Sequence, residues 1–189
     1  MAEVLLVRHG QTDWSRDHRH TGRTDVPLTP DGQRQAEELG RVLAGRGFDR
    51  VLTSPLSRAA ETCRLAGFGD RAETRDGLVE WDYGEYEGLT TASIRVQRPD
   101  WSLWHDGCPA GESARDVGAR VDRVLAELRG LEHDTILFAH GHVLRVLTAR
   151  WLALGPEQGA LFALDTGTLS ALGWEREQAV IRLWNERPS

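Results

Sequence analysis

VLLVRHGQT, residues 4–12, is the stretch on which the reading of the fold turns. Val4–Val7 is a short, unbroken apolar run, the pattern of a strand buried on both faces, and it stops abruptly at Arg8-His9-Gly10. The same punctuation recurs twice. Val51-Leu52-Thr53 runs into Ser54-Pro55-Leu56-Ser57-Arg58, and Thr135–Ala139 runs into His140-Gly141-His142. In open α/β sheets, ligands bind outside the carboxyl ends of the strands. If these strands are parallel neighbours, two histidines and two arginines converge on one small volume.

Helical signals fill the intervals. Thr29-Pro30 offers an N-cap followed by proline at the first helical position. Ala36, Leu39 and Leu43 then keep helical spacing up to Gly45 and Gly47. Ser54-Pro55 is expected to open a helix carrying Arg58, Ala59, Thr62 and Leu65. Gly67 to Pro109 is irregular, with one short helix near Ala92–Gln97. From Ser113 onward, Val117, Val121, Val124, Leu125 and Leu128 make one apolar stripe, closed by Gly130. Val143–Leu154 is apolar almost all round and reads as a buried helix. Extended segments near Phe162–Leu172 and Val180–Trp184 complete the sheet. Strands alternating with helices imply an α/β sandwich with a mainly parallel sheet.

A chain of 189 residues, 40% hydrophobic and 28% charged, has the mass and composition of one globular domain, residues 1–189. Its net charge of −6 weighs against nucleic acid and anionic membranes as partners, yet leaves room for a local arginine cluster on a small anion. The N-terminal apolar run is too short for a signal-peptide core or a membrane span, so the chain reads as cytoplasmic. Cys63 and Cys108 lack any CxxC context and read as reduced thiols. Edge strands near the C-terminus could pair two copies into a homodimer.

Guanidinium groups match phosphoryl oxygens through planar, paired donors and stay charged at any working pH. Gly10 and Gly141 permit close backbone approach, and a helix starting near Gly141 would aim free N–H groups at an anion. A neutral imidazole is a competent nucleophile toward phosphorus, and two displacements have lower barriers than one. Such a pocket would transfer phosphoryl groups without a metal. An alkoxide leaves poorly, so an acid is needed. Glu80-Trp81-Asp82-Tyr83-Gly84-Glu85-Tyr86-Glu87-Gly88 is the natural source, a carboxyl wedged beside Trp81 and near other acids being one that could keep its proton near neutral pH.

RHGQT, TGRTDVPLT, SPLSRAAET, LVEWDYGEYEG and FAHGHVLR, in this order along nearly the whole chain, resemble the histidine phosphatase superfamily, also called phosphoglycerate mutase-like. The resemblance implies a three-layer α/β/α sandwich and metal-independent chemistry with no cofactor. It implies that His9 is the phosphorylated nucleophile, that Arg8, Arg58 and His140 form the phosphate pocket, and that Glu80 is the proton donor. Ser15, where the family more often has asparagine, Thr21-Gly22 and Gly141 join Arg8, Arg58, Glu80 and His140 as substrate-binding positions. Thr21-Gly22 reads equally well as a plain turn. EWDYGEYEGLT with WSLWHDGCPAGES resembles a branch of broad acid phosphatases and sedoheptulose 1,7-bisphosphatase. The implied partner is a small phosphorylated metabolite.

Other readings compete. A cofactor-dependent phosphoglycerate mutase would need a longer insertion and a C-terminal tail to keep water from its phosphohistidine. A non-catalytic phosphate-binding domain is a second alternative, against which every pocket residue type is retained. His18, His20, His140 and His142 suggest a metal centre, but no HExxH or comparable ligand frame is present, and arginines surround the first two. Between a second pocket residue and a helix N-terminal residue, His142 reads as the latter, and between lining a substrate cleft and packing under a long loop, Trp81, Trp101 and Trp104 read as packing. Ser113 reads as a helix N-cap, in preference to a pocket role for its neighbour Glu112.

Overall fold

The computed structural model describes residues 2–128 and 132–188. In chain order the strands are β1 (Val4–Arg8), β2 (Arg50–Thr53), β3 (Ala72–Thr74), β4 (Thr135–Ala139), β5 (Leu169–Glu175) and β6 (Gln178–Glu186). The helices are α1 (Asp13–Arg16), α2 (Pro30–Val42), α3 (Ser57–Leu65), α4 (Thr91–Gln97), α5 (Leu103–Asp106), α6 (Ala114–Leu128) and α7 (Gly141–Trp151). The sheet order is β3-β2-β4-β1-β5-β6. Strands β3, β2, β4 and β1 are parallel, β5 adds antiparallel to β1, and β6 adds antiparallel to β5. The sheet is thus mainly parallel, as the strand–helix alternation implied.

Alternating side chains along β1 feed two cores, which is why an unbroken apolar run forms this strand. Leu5 and Val7 pack with Leu39 and Leu43 of the α2 layer and Cys63 of α3. Val4 and Leu6 pack with Val117, Val121 and Leu125 of α6 and with Leu144 and Leu147 of α7. Each of these side chains stabilises the sandwich by roughly 1.5–3 kcal/mol on full burial. Cys63 and Cys108 are free and buried.

Helix α2 begins as its cap predicts, Thr29 accepting the Gly32 N–H at 3.1 Å with Pro30 in the first turn. It ends at Val42, just before Gly45 at φ +81°. Ser113 caps α6 by accepting the Asp116 N–H at 3.3 Å. Gly130, the expected end of that helix, lies outside the described residues.

Several boundaries differ from expectation. Helix α3 starts at Ser57, not at Ser54-Pro55, because Leu56 is the extended residue before it and Ser54 is held by the sheet, its N–H on the Phe138 carbonyl at 2.9 Å. Helix α7 starts at Gly141, where free N–H groups were expected, but ends at Trp151 and not at Leu154, Ala153 beyond it taking φ +60°. Of the expected extended segment Phe162–Leu172, only residues from Leu169 onward join a strand, after a 3-10 turn at Pro156–Leu161. Strand β3 and three single 3-10 turns lie within the segment read as irregular.

Candidate active site

Strand register brings the polar clusters together. Arg8 faces Ala139 across the β1–β4 pair, so His9 and His140 leave the sheet at the same level, with the His9 N–H on the Ala139 carbonyl at 3.0 Å. Thr53 faces Phe138 on the other side of β4, which puts Ser54 next to His140. The two imidazole rings lie 5.1 Å apart, tilted by 60°.

Each ring has a fixed tautomer. His9 Nδ1 lies 2.7 Å from the Gly10 carbonyl, which can only accept, so Nδ1 carries the proton and Nε2 keeps its lone pair. His140 Nδ1 lies 3.1 Å from Arg58 Nε, which can only donate, so this ring carries its proton on Nε2 and donates it to Ser54 Oγ at 2.7 Å. Burial, followed by the nearby Arg58 charge, holds both pKa values well below the ordinary histidine range. Both rings are neutral at neutral pH, and His9 presents a nucleophilic nitrogen.

Gly10 is required here for packing. A Cβ on it would stand 2.2 Å from the Gly32 carbonyl oxygen of α2. Its N–H is held by Thr62 Oγ1 at 3.0 Å. At Gly141 a Cβ would press on the Arg8 guanidinium at 3.2 Å, so this glycine makes room for Arg8. Close approach at both positions serves the protein's own groups.

The pocket beside His9 has a volume of about 260 Å³. Arg8, His9, Ser15, Thr21 and Glu80 line it, joined by His18, Arg19, His20, Tyr83, Thr91 and His142. Arg8 donates to the Leu164 carbonyl, and its buried Nε has no partner in the structure. Arg58 is not on the lining. It is fully buried, and four of its five N–H donors go to His140 Nδ1 and to the carbonyls of Thr24, Thr21 and Gly22. The expected pair of arginines on one pocket therefore separates into Arg8 on the wall and Arg58 behind His140, whose ring is also fully buried.

Glu80 is 5% exposed. One carboxyl oxygen accepts the N–H groups of Trp81 and Val143, each at 2.9 Å, and the other accepts the His142 N–H at 3.0 Å. The N-terminal N–H groups of α7 thus go to Glu80, where the sequence had placed an anionic ligand. A carboxylate at a helix N-terminus satisfies the same orphan donors and the same dipole. The Ser15 hydroxyl is spent locally in a capping box with Thr12. Thr21 and Gly22 form a turn whose carbonyls hold Arg58.

The sequence favoured a helix N-terminal role for His142 over a place in the pocket, and assigned Tyr83 no role; both line this wall. The His142 ring faces the pocket, and its Nδ1 pairs with the Tyr83 hydroxyl at 2.6 Å. Burial lowers the His142 pKa well below the ordinary range and brings His20 to about 4. The HGH run and the tyrosine within EWDYGE were the available signals. The four histidines read as a metal alternative do not share one centre: His140 pairs with Arg58 and Ser54, whereas the His20 and His142 rings lie 6.2 Å apart. Among the described residues, no three His, Cys, Asp or Glu side chains group as metal ligands. Trp81 and Trp101 are buried packing residues, and Trp104 lies half-buried under Arg145.

A mainly parallel α/β sandwich with an uncharged histidine and an arginine at its strand ends, and a buried carboxyl facing them, is suited to phosphoryl chemistry. The chain belongs to the histidine phosphatase superfamily, branch 1, whose family model matches residues 4–187. It is 43% identical to an acid phosphatase of Mycobacterium tuberculosis, over 95% of this chain and 92% of that one. It is 36% identical to the sedoheptulose 1,7-bisphosphatase of Saccharomyces cerevisiae, over 82% of this chain and 69% of that one. A 2,3-bisphosphoglycerate-dependent phosphoglycerate mutase of Mesorhizobium japonicum is 38% identical over 87% of both chains. The solved structure of an open reading frame product from Mycobacterium tuberculosis superposes with a TM-score of 0.94 at 39% identity, covering 100% of this chain and 99% of that one. Among the described residues, no helix is long and apolar enough to cross a membrane.

Proposed function

We propose that this protein is a metal-independent phosphatase that hydrolyses small phosphomonoesters, sugar phosphates or related metabolites, through a phosphohistidine on His9. The observation that carries this reading is the His9 ring itself: Nδ1 is committed to the Gly10 carbonyl, and neutral Nε2 shares a pocket with Arg8 and Glu80. The lone pair of Nε2 attacks phosphorus, the P–O bond to the alcohol breaks, and the alkoxide takes a proton from Glu80. Water then attacks phosphorus on the phosphohistidine, giving its proton to Glu80 and returning the Nε2 lone pair. Arg8 on the wall, with the Arg58 charge behind His140, offsets charge on the equatorial oxygens. Ser15, Thr21, Gly22 and Gly141 complete the proposed binding positions, the last two through the placement of Arg58 and Arg8.

The pocket volume of about 260 Å³ suits a phosphoryl group with a short polar chain. The two relatives named as phosphatases support hydrolysis, and the mutase relatives supply the second reading. Both share the phosphohistidine, so the first experiment traps it. Wild-type protein mixed with a phosphomonoester should yield an acid-labile, alkali-stable phosphoenzyme, and His9→Ala should lose both it and turnover, by about 10⁴-fold or more. Phosphoenzyme surviving in His9→Ala would move the nucleophile elsewhere. With 3-phosphoglycerate and a trace of bisphosphoglycerate, phosphate release should outrun isomer formation; the reverse order would make the protein a mutase.

A further inference from the structure

Glu80 lies in a stretch without strand or α-helix, between a 3-10 turn at Asp76–Leu78 and another at Gly84–Tyr86. Its backbone is nevertheless gripped by Arg120 of α6 at and before Glu80, and by Glu112 just after it. Arg120 Nη1 donates to the carbonyls of Gly77 at 2.9 Å and Val79 at 2.6 Å, and Nη2 to that of Glu80 at 3.1 Å. Nε and Nη2 also form a two-pronged pair with the Glu112 carboxylate at 2.8 and 3.0 Å. All five guanidinium donors are thereby used. Glu112 in turn accepts the Asp82 N–H at 2.9 Å, while its own backbone N–H goes to the Asp82 carbonyl at 2.9 Å. The two side chains are only 12% and 19% exposed.

We propose that Arg120 and Glu112 are positioning residues that hold the Glu80 carboxyl within proton-transfer reach of the substrate's leaving oxygen. The inference rests on the reading of Glu80 as proton donor. A planar fork with five fixed donors is what the task requires, because it must hold three carbonyls and one carboxylate at once; an ammonium group carries fewer donors and no plane. Proton transfer tolerates little misplacement, an error of about 1 Å being enough to cost about 10²-fold in rate. Attack on an aryl phosphate, whose leaving group needs little protonation, does not depend on this loop in the same way, since Arg8 ends β1 and His9 follows it directly.

The test is the ratio of kcat on an alkyl phosphate, glycerol phosphate, to kcat on an aryl phosphate, p-nitrophenyl phosphate, whose leaving group needs little protonation. Arg120→Lys and Arg120→Met should lower that ratio at least about tenfold, with the loss in kcat and not in KM. Glu112→Gln is nearly isosteric and removes the charged half of the clamp; it should lower the ratio several-fold even if the arginine variants fold poorly. Equal loss on both substrates, in step with a lowered melting temperature, would make the pair merely structural and overturn the proposal. So would an unchanged ratio in all three variants alongside a lowered ratio in Glu80→Gln. An unchanged ratio in Glu80→Gln itself would instead strike the proton-donor reading, and this inference with it.

Discussion

The pocket has two walls built in different ways. The wall with His9 and His140 hangs from the ends of paired parallel strands, where the β1–β4 register sets both rings at one level. The wall with Glu80, Tyr83 and His142 comes from an irregular loop meeting the first turn of α7. Strand pairing sets the backbone of the first wall, and Arg58 and Ser54 then hold the buried His140 ring. The second needs side chains from elsewhere, Arg120 and Glu112, to hold its backbone. On the proposed mechanism, nucleophilic attack and leaving-group protonation, two halves of one displacement, fall to parts of the molecule positioned by different contacts.

The largest expected effect that separates the walls is Glu80→Gln. The amide keeps the volume and one acceptor oxygen but has no carboxyl proton to give. Turnover of an alkyl phosphate should fall by about 10²- to 10⁴-fold, the usual range for general acid catalysis, with a much smaller loss on an aryl phosphate. Steady-state kinetics on the two substrates measures the difference. Equal damage to both would place the main effect of Glu80 in a step the two substrates share, activation of water on the phosphohistidine or binding of the phosphoryl oxygens, and the division of labour between the walls would collapse.

The two walls also differed in how far the sequence disclosed them. Val4–Val7, Val51–Thr53 and Thr135–Ala139 could be read because a buried parallel strand is a local pattern, and each ended where its polar residues began. Parallel pairing then made the meeting of His9 with His140 a matter of topology. The fate of Arg58 was not local. Its burial behind His140 depends on the carbonyls of Thr21, Gly22 and Thr24, more than thirty residues away, turning toward it. Glu80 could be named from its motif, but its seat on α7 and its hold by Arg120 are long-range contacts that no periodicity records. The same holds for Ser54, which read as a helix opener and serves as the acceptor for His140.

A second expectation concerns charge and tests both walls at once. His9, His140, His142 and His20 are all held neutral by burial, with folded-state pKa values below that of the unfolded chain. The unfolded state therefore binds more protons as pH falls below about 6.5, and stability present above that pH is lost on acidification. For His20, with its folded pKa at about 4, the window runs from about 6.5 down to about 4. It should contribute roughly 2 kcal/mol of lost stability by pH 5. His20 stacks against Tyr83 and Trp101, so His20→Phe keeps an aromatic ring there while removing the titration. Urea denaturation at pH 7.5 and pH 5 should show a smaller loss in this variant than in the wild type. An identical loss would leave the acid sensitivity with His9, His140 and His142.

The smallest expected effect comes from the strand-end wall. Ser54→Ala removes the acceptor for the His140 Nε2–H and leaves that ring held by Arg58 alone. A buried donor without a partner costs about 1–3 kcal/mol, and here the neighbouring Arg58 bond and the strand register limit any movement of the ring. We expect a stability loss near the lower end of that range and a fall of only a few-fold in kcat/KM. Its substrate profile is the informative part. His140 and Ser54 are buried beside His9 at the strand ends, so alkyl and aryl phosphates should suffer alike, in contrast to Glu80→Gln. An alkyl-specific loss in Ser54→Ala would mean that the serine and His140 also serve the departing alcohol, because a group that touches only the phosphoryl oxygens cannot distinguish one leaving group from another by its need for a proton.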